Sequence, residues 1–110
     1  MKNYARKWII QRVTAILLIP LSFWFIYHCL SFASMNYTQL FLFFKSSISS
    51  LLFLIMMIST LIHAKLGCET IIEDYVTSKS LKNISTLLIN LIAYFSMVIV
   101  ILTTARIFFI

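Results

Sequence analysis

Charged residues are confined to the edges of three apolar runs in this chain. Residues 13–33 carry no charge over 21 positions, residues 46–64 none over 19, and residues 83–105 none over 23. A bilayer-spanning helix needs about 20 apolar residues at roughly 1.5 Å each, so all three runs are long enough. Apolar character reaches upstream of the second run to Leu40. The expected helices are therefore about 13–33, about 40–64 with room to continue further, and about 83–105. The segment from Ser34 to Gln39 is the first polar break, and residues 65–82 are the second. The Ile, Val and Thr content would favour strands in water. In lipid every backbone group must bond within its own segment, so the runs are read as helices. Pro20 is tolerated in a membrane helix and marks the place for a kink. Ser46, Ser47, Ser49 and Ser50 put small polar groups on the second helix, either for close helix approach or as a wet outer end.

Composition agrees with lipid as the solvent. The chain is 62% hydrophobic and 11% charged, against about 45–50% and about 25% in soluble domains. Its 110 residues allow one domain, and no linker, internal repeat or low-complexity tract divides it. The expected fold class is all-α integral membrane, with three transmembrane helices. The net charge of +6 does not indicate nucleic acid, because the basic residues flank apolar runs and form no basic stripe. They orient the helices instead. Lys2, Arg6, Lys7, Arg12, Lys65, Lys79 and Lys82 fall on one side, and Lys45 and Arg106 on the other. The positive-inside rule places the N-terminus and second loop inside and the C-terminus outside, with Trp8 and Tyr37 at interfacial positions. A basic start followed by an apolar core and Ser31-Phe32-Ala33 also fits a secretory signal. However, the run to Leu30 exceeds the usual 7–15 residues or so, and the span is expected to be retained. Cys29 and Cys68 lie in separate segments near opposite faces and are expected to stay unpaired.

The candidate chemistry lies at the end of the second span, in the stretch from His63 to Val76. Ser59 and Gly67 stand one helical turn on either side of His63, with Thr60 and Thr70 bordering the stripe. Small neighbours would leave a flat recess around the ring. Two readings fit: an axial ligand to haem iron, or a hydrogen bond across helices. Asp74 is 11 residues further on, about 20° beyond three full turns and roughly 16 Å along the axis. In a continuing helix it shares the face of His63, with Tyr75 beside it. Glu69, Glu73 and Asp74 also read as a solvated acidic helix end. His28 lies too deep to share an iron with His63 and reads as an interhelical hydrogen-bonding residue. Arg12 fits either snorkelling to headgroups or pairing with a cofactor carboxylate.

These residues resemble the hydrophobic membrane anchor of succinate dehydrogenase, the cytochrome b small-subunit family. Gln11-Arg12-Val13-Thr14-Ala15-Ile16 is a weak motif alone. His63-Ala64, Gly67 and then Asp74-Tyr75-Val76 form a more specific one, and the resemblance covers nearly the whole chain. It implies a subunit of respiratory complex II in the tricarboxylic acid cycle. Under it, His63 is an axial ligand to haem b, with the second ligand from a partner subunit. Tyr75 hydrogen-bonds ubiquinone, Asp74 supports it, and Arg12 lies near a haem propionate. Lys65 stands where relatives often carry an apolar or aromatic residue, which puts the inner edge of the site in question. The implied partners are a flavoprotein subunit, an iron–sulfur subunit and a second cytochrome b anchor. The implied location is a multi-pass place in the bacterial inner membrane, or in the mitochondrial one if the chain is organelle-encoded. No flavin motif or iron–sulfur cysteine cluster is present, so succinate chemistry is left to partners. The alternatives are a fumarate reductase anchor and a haem-free membrane scaffold. A small multidrug-type transporter is disfavoured, because no Asp or Glu lies inside the three runs.

Overall fold

The computed structural model describes residues 4–110, so Lys2 lies outside the described residues. Among the described residues all regular structure is α-helical: α1 (Tyr4–Phe32), α2 (Tyr37–Lys45), α3 (Ser47–Tyr75) and α4 (Lys79–Phe109). By length and composition α1, α3 and α4 are each able to cross a membrane. This is the all-α, three-span class that the uncharged runs predict.

The helices outrun the uncharged segments. α1 and α3 have 29 residues each, about 43 Å at 1.5 Å per residue, against a hydrocarbon core of about 30 Å. A helix ends where its backbone finds other partners, not where lipid ends. α3 therefore carries Lys65, Glu69, Glu73 and Asp74 in the same rod as His63. α1 runs unbroken through Pro20.

The apolar stretch beginning at Leu40 is divided at Ser46, whose extended backbone (φ −57°, ψ 135°) separates α2 from α3. α2 has a full capping box. Asn36 Oδ1 accepts from the Gln39 N–H at 2.8 Å, and the Asn36 N–H donates to Gln39 Oε1 at 3.0 Å. Such reciprocal pairing satisfies two of the donors that a helix start leaves open. Lys45 closes α2 by donating to the carbonyls of Phe108 and Ile110 at 3.2 and 2.6 Å, tying it to the last turn of α4. A cation suits a helix C-terminus, where carbonyls lack partners.

α3 is the central element. It packs against α1 on one side and α4 on the other, while α1 and α4 make no comparable contact with each other. Lys7, Thr14 and Leu21 are the buried residues of α1, spaced by seven. Met56, Ser59 and Leu66 are buried on α3, with His63 completing the 3-4-3 spacing. That is the seam of two helices packed nearly along each other. Its small and polar residues allow close approach, as membrane helix interfaces require. At the far end, α1, α2 and α3 are joined by aromatic rings: Phe25–Phe53 at 5.7 Å, Phe32–Phe43 at 5.1 Å and Phe44–Phe53 at 5.1 Å.

Few side chains are buried within the chain. Among the described residues the buried apolar ones are Leu21, Met56, Leu66, Ile72 and Ala93, while large apolar residues are exposed around α1 and α4. A helix that is apolar all round is covered by lipid or by other helices.

Candidate functional site

His63 sits half-buried at the α1–α3 seam. Its Nδ1 lies 2.9 Å from Thr14 Oγ1. Thr14 is buried, and its hydroxyl also lies 2.9 Å from the Ile10 carbonyl and 3.1 Å from that of Gln11. Back-bonding of this kind keeps a threonine hydroxyl satisfied inside a helix. The hydrogen bond across helices expected as one reading of His63 is therefore present, and it uses only one of the two ring nitrogens. An imidazole held at Nδ1 can still ligate through Nε2, so the two readings are compatible.

The small residues flanking His63 behave differently from the expected recess. Gly67 faces α1: a Cβ built there meets the Gln11 amide at 3.7 Å. Ser59 is buried on the same stripe. The Gln11 side chain of α1 therefore occupies the Gly67 side of the ring, where a flat recess was expected.

The open space lies beside the ring. Tyr4, Lys7, Trp8, Gln11, Arg12, Ala15, His63 and Thr70 line a groove of about 440 Å³ between α1 and α3. Arg12 thus joins His63 in one cavity. Its guanidinium lies over the Trp8 ring, 5.2 Å from the centroid, a cation–π contact that orients the charge. Among the described residues no three His, Cys, Asp or Glu side chains converge as a metal cage. The donor set suits a haem edge in two respects: one imidazole with an unengaged nitrogen, and one exposed arginine in the same groove to meet a carboxylate.

Glu69 and Glu73 form no solvated acidic end. Lys7 Nζ lies 3.8 Å from Glu69 Oε1 and 3.5 Å from Glu73 Oε1, and Lys65 Nζ lies 3.5 Å from Glu69 Oε1. Lys82 Nζ donates to the Glu73 carbonyl at 3.4 Å. These pairs clasp the starts of α1 and α4 to the end of α3. Lys65 also lies 5.5 Å from the Tyr94 ring centroid, so it is held between α3 and α4 and stays off the groove.

Asp74 and Tyr75 are exposed at the C-terminal end of α3, Tyr75 at 80%. α3 is continuous from His63 to Tyr75, as the shared-face arithmetic requires. The two residues do not line the His63 groove. His28 makes ring contacts with Trp24 at 5.2 Å and Phe43 at 4.8 Å. Among the described residues it makes no hydrogen bond, because aromatic neighbours surround it in place of acceptors. Cys29 and Cys68 are both free.

In the sequence, Gln11 and Thr14 have no part in the site beyond membership of a weak motif, and Lys7 has only a place in the charge asymmetry. Thr14 was within reach: with seven-residue spacing it shares the seam of Leu21. The partnership of Lys7 with two glutamates had no local signal, since it joins residues more than sixty positions apart.

Three membrane-length helices, with a histidine–arginine groove between α1 and α3, define a small multi-pass membrane protein. Residues 4–105 match the family model described as succinate dehydrogenase/fumarate reductase transmembrane subunit. The chain belongs to that family. It is 31% identical over 97 residues to the succinate dehydrogenase hydrophobic membrane anchor subunit of Rickettsia bellii, covering 88% of this chain and 78% of that protein. The same-named subunit of Rickettsia typhi is 30% identical over the same shares. That of Rickettsia conorii is 32% identical over 82% of this chain and 72% of its own length.

Proposed function

We propose that the chain is the small anchor of a succinate:ubiquinone oxidoreductase in an inner membrane. In this reading it supplies one axial ligand of a shared haem b through His63 and one wall of the ubiquinone site through Tyr75. Its partners are the flavoprotein subunit, the iron–sulfur subunit and a second cytochrome b anchor. The observation that carries the reading is the Thr14–His63 hydrogen bond at 2.9 Å. It fixes the ring from its Nδ1 side, beside a groove that also holds Arg12.

A haem b bound there supplies a one-electron centre. His63 orients toward it through the α1 contact, and Arg12 offers a cation to a propionate. The excess of basic residues at the shared end of α1, α3 and α4 supports an inward-facing N-terminus. Tyr75, exposed at that end, offers a phenolic donor to a quinone carbonyl, and Asp74 beside it offers a carboxylate open to water for proton exchange. The relatives' names favour succinate oxidation over fumarate reduction.

The test uses the complex purified with its partner subunits. His63→Ala is expected to abolish the low-spin bis-histidine haem spectrum. An unchanged spectrum overturns the ligand assignment. Flavin and iron–sulfur subunits recovered with a native anchor that lacks haem absorbance would favour the haem-free scaffold.

A further inference from the structure

Two α1 side chains meet the Nδ1 edge of the His63 ring. Thr14 Oγ1 lies 2.9 Å away, and the Gln11 amide nitrogen lies 3.0 Å away when the NH₂ is turned toward the ring. Thr14 has one hydroxyl hydrogen and two helix carbonyls to receive it, Ile10 at 2.9 Å and Gln11 at 3.1 Å. With that hydrogen engaged, Thr14 presents only lone pairs to the ring, so Nδ1 is the donor and Nε2 is left with a free lone pair. Ligation through Nε2 needs this tautomer.

Gln11 pulls the other way. With its NH₂ toward the ring it donates to Nδ1 at 3.0 Å and to the His63 carbonyl at 3.3 Å, while its oxygen accepts from the Gly67 N–H at 3.3 Å. In that orientation Nδ1 accepts and the ring proton sits on Nε2, where it blocks ligation. Rotated by half a turn, the amide oxygen would face Nδ1, but it would also face the His63 carbonyl and turn its NH₂ onto the Gly67 N–H, so that orientation is the poorer match. Amide orientation and ring tautomer are therefore coupled.

We propose that Thr14 and Gln11 are positioning residues that set the tautomer and basicity of His63 in opposite directions, Thr14 as an acceptor favouring ligation through Nε2 and the Gln11 amide as a donor opposing it. The inference rests on His63 being the haem ligand. Partners on the far ring nitrogen raise ligand basicity, and their loss typically weakens metal affinity about 10–100-fold. A more basic imidazole stabilises the ferric form and lowers the midpoint potential.

The experiment is a redox titration and low-spin electron paramagnetic resonance of the haem in the assembled complex. Thr14→Val, close in shape and without an acceptor, is expected to raise the midpoint potential and lower haem retention within that 10–100-fold range. Thr14→Ser is expected to restore both. Gln11→Glu, which offers a permanent acceptor to Nδ1, is expected to shift the potential the opposite way. Unchanged potential and resonance in both variants overturn the proposal, as do shifts of the same sign, which would indicate general loosening. If His63→Ala keeps the bis-histidine signature, it is the ligand reading that fails.

Discussion

Lys7→Met removes the cation that α1 contributes between Glu69 and Glu73. Lys7 Nζ lies 3.8 and 3.5 Å from their carboxylate oxygens, with side-chain exposures of 7% for Lys7, 15% for Glu69 and 31% for Glu73. Breaking a fully buried pair by removing one partner costs about 3–5 kcal/mol, whereas an exposed pair is worth about 0–1 kcal/mol. The lysine is buried, the carboxylates are only partly so, and Glu69 keeps Lys65 at 3.5 Å. The expected cost of Lys7→Met is therefore about 1–3 kcal/mol, between those limits. The assay is unfolding of the detergent-solubilised complex, in double-mutant cycles with Glu69→Gln and Glu73→Gln. A coupling energy of at least about 0.5 kcal/mol is expected in each cycle. Additive double mutants, or a Lys7→Met protein as stable as the parent, would refute the idea that this cluster fixes α1 against α3. Thr14 lies seven residues along α1, about 10 Å from Lys7. Loosening the clasp is expected to weaken haem retention as well, although Lys7 makes no hydrogen bond to His63.

Tyr75→Phe is expected to lower ubiquinone reduction while succinate oxidation by an artificial dye persists; equal loss of both activities would indicate misassembly. Gly67→Ala is expected to be neutral or to stabilise by up to about 1 kcal/mol, because its Cβ meets Gln11 at an ordinary 3.7 Å and glycine is a poor helix residue. A clear fall in unfolding temperature would show that the glycine is needed for space. His28→Phe preserves the ring packing against Trp24 and Phe43 and is expected to leave the haem spectrum unchanged; loss of the low-spin signal would make His28 part of the site.

The three spans were legible because lipid imposes one rule on every backbone group, and the uncharged runs record it. Their ends were not. The break at Ser46 has no Gly or Pro to announce it, and it accompanies the docking of α2, held by the Phe32–Phe43 and Phe44–Phe53 ring contacts and by Lys45 on the end of α4. The continuation of α3 through Lys65, Glu69, Glu73 and Asp74 is maintained by Lys7 and Lys82, which reach it from other helices. His63 and Arg12 stood out as unusual residues at apolar edges, and their shared groove is a tertiary fact. Gly67 and Ser59 were read by size alone. Size gives the clearance but not the occupant, and here helix α1 fills it on the Gly67 side.

α3 is one unbroken helix from Ser47 to Tyr75. Twelve residues separate His63 from Tyr75, a rise of about 18 Å along a single rod. A bilayer that thickens or thins makes such a rod tilt or shift as a whole. Membrane thickness can therefore change the depth of both positions, but not their spacing. A hinge between them would have let lipid composition set the distance between the two positions, and continuity of α3 removes that dependence.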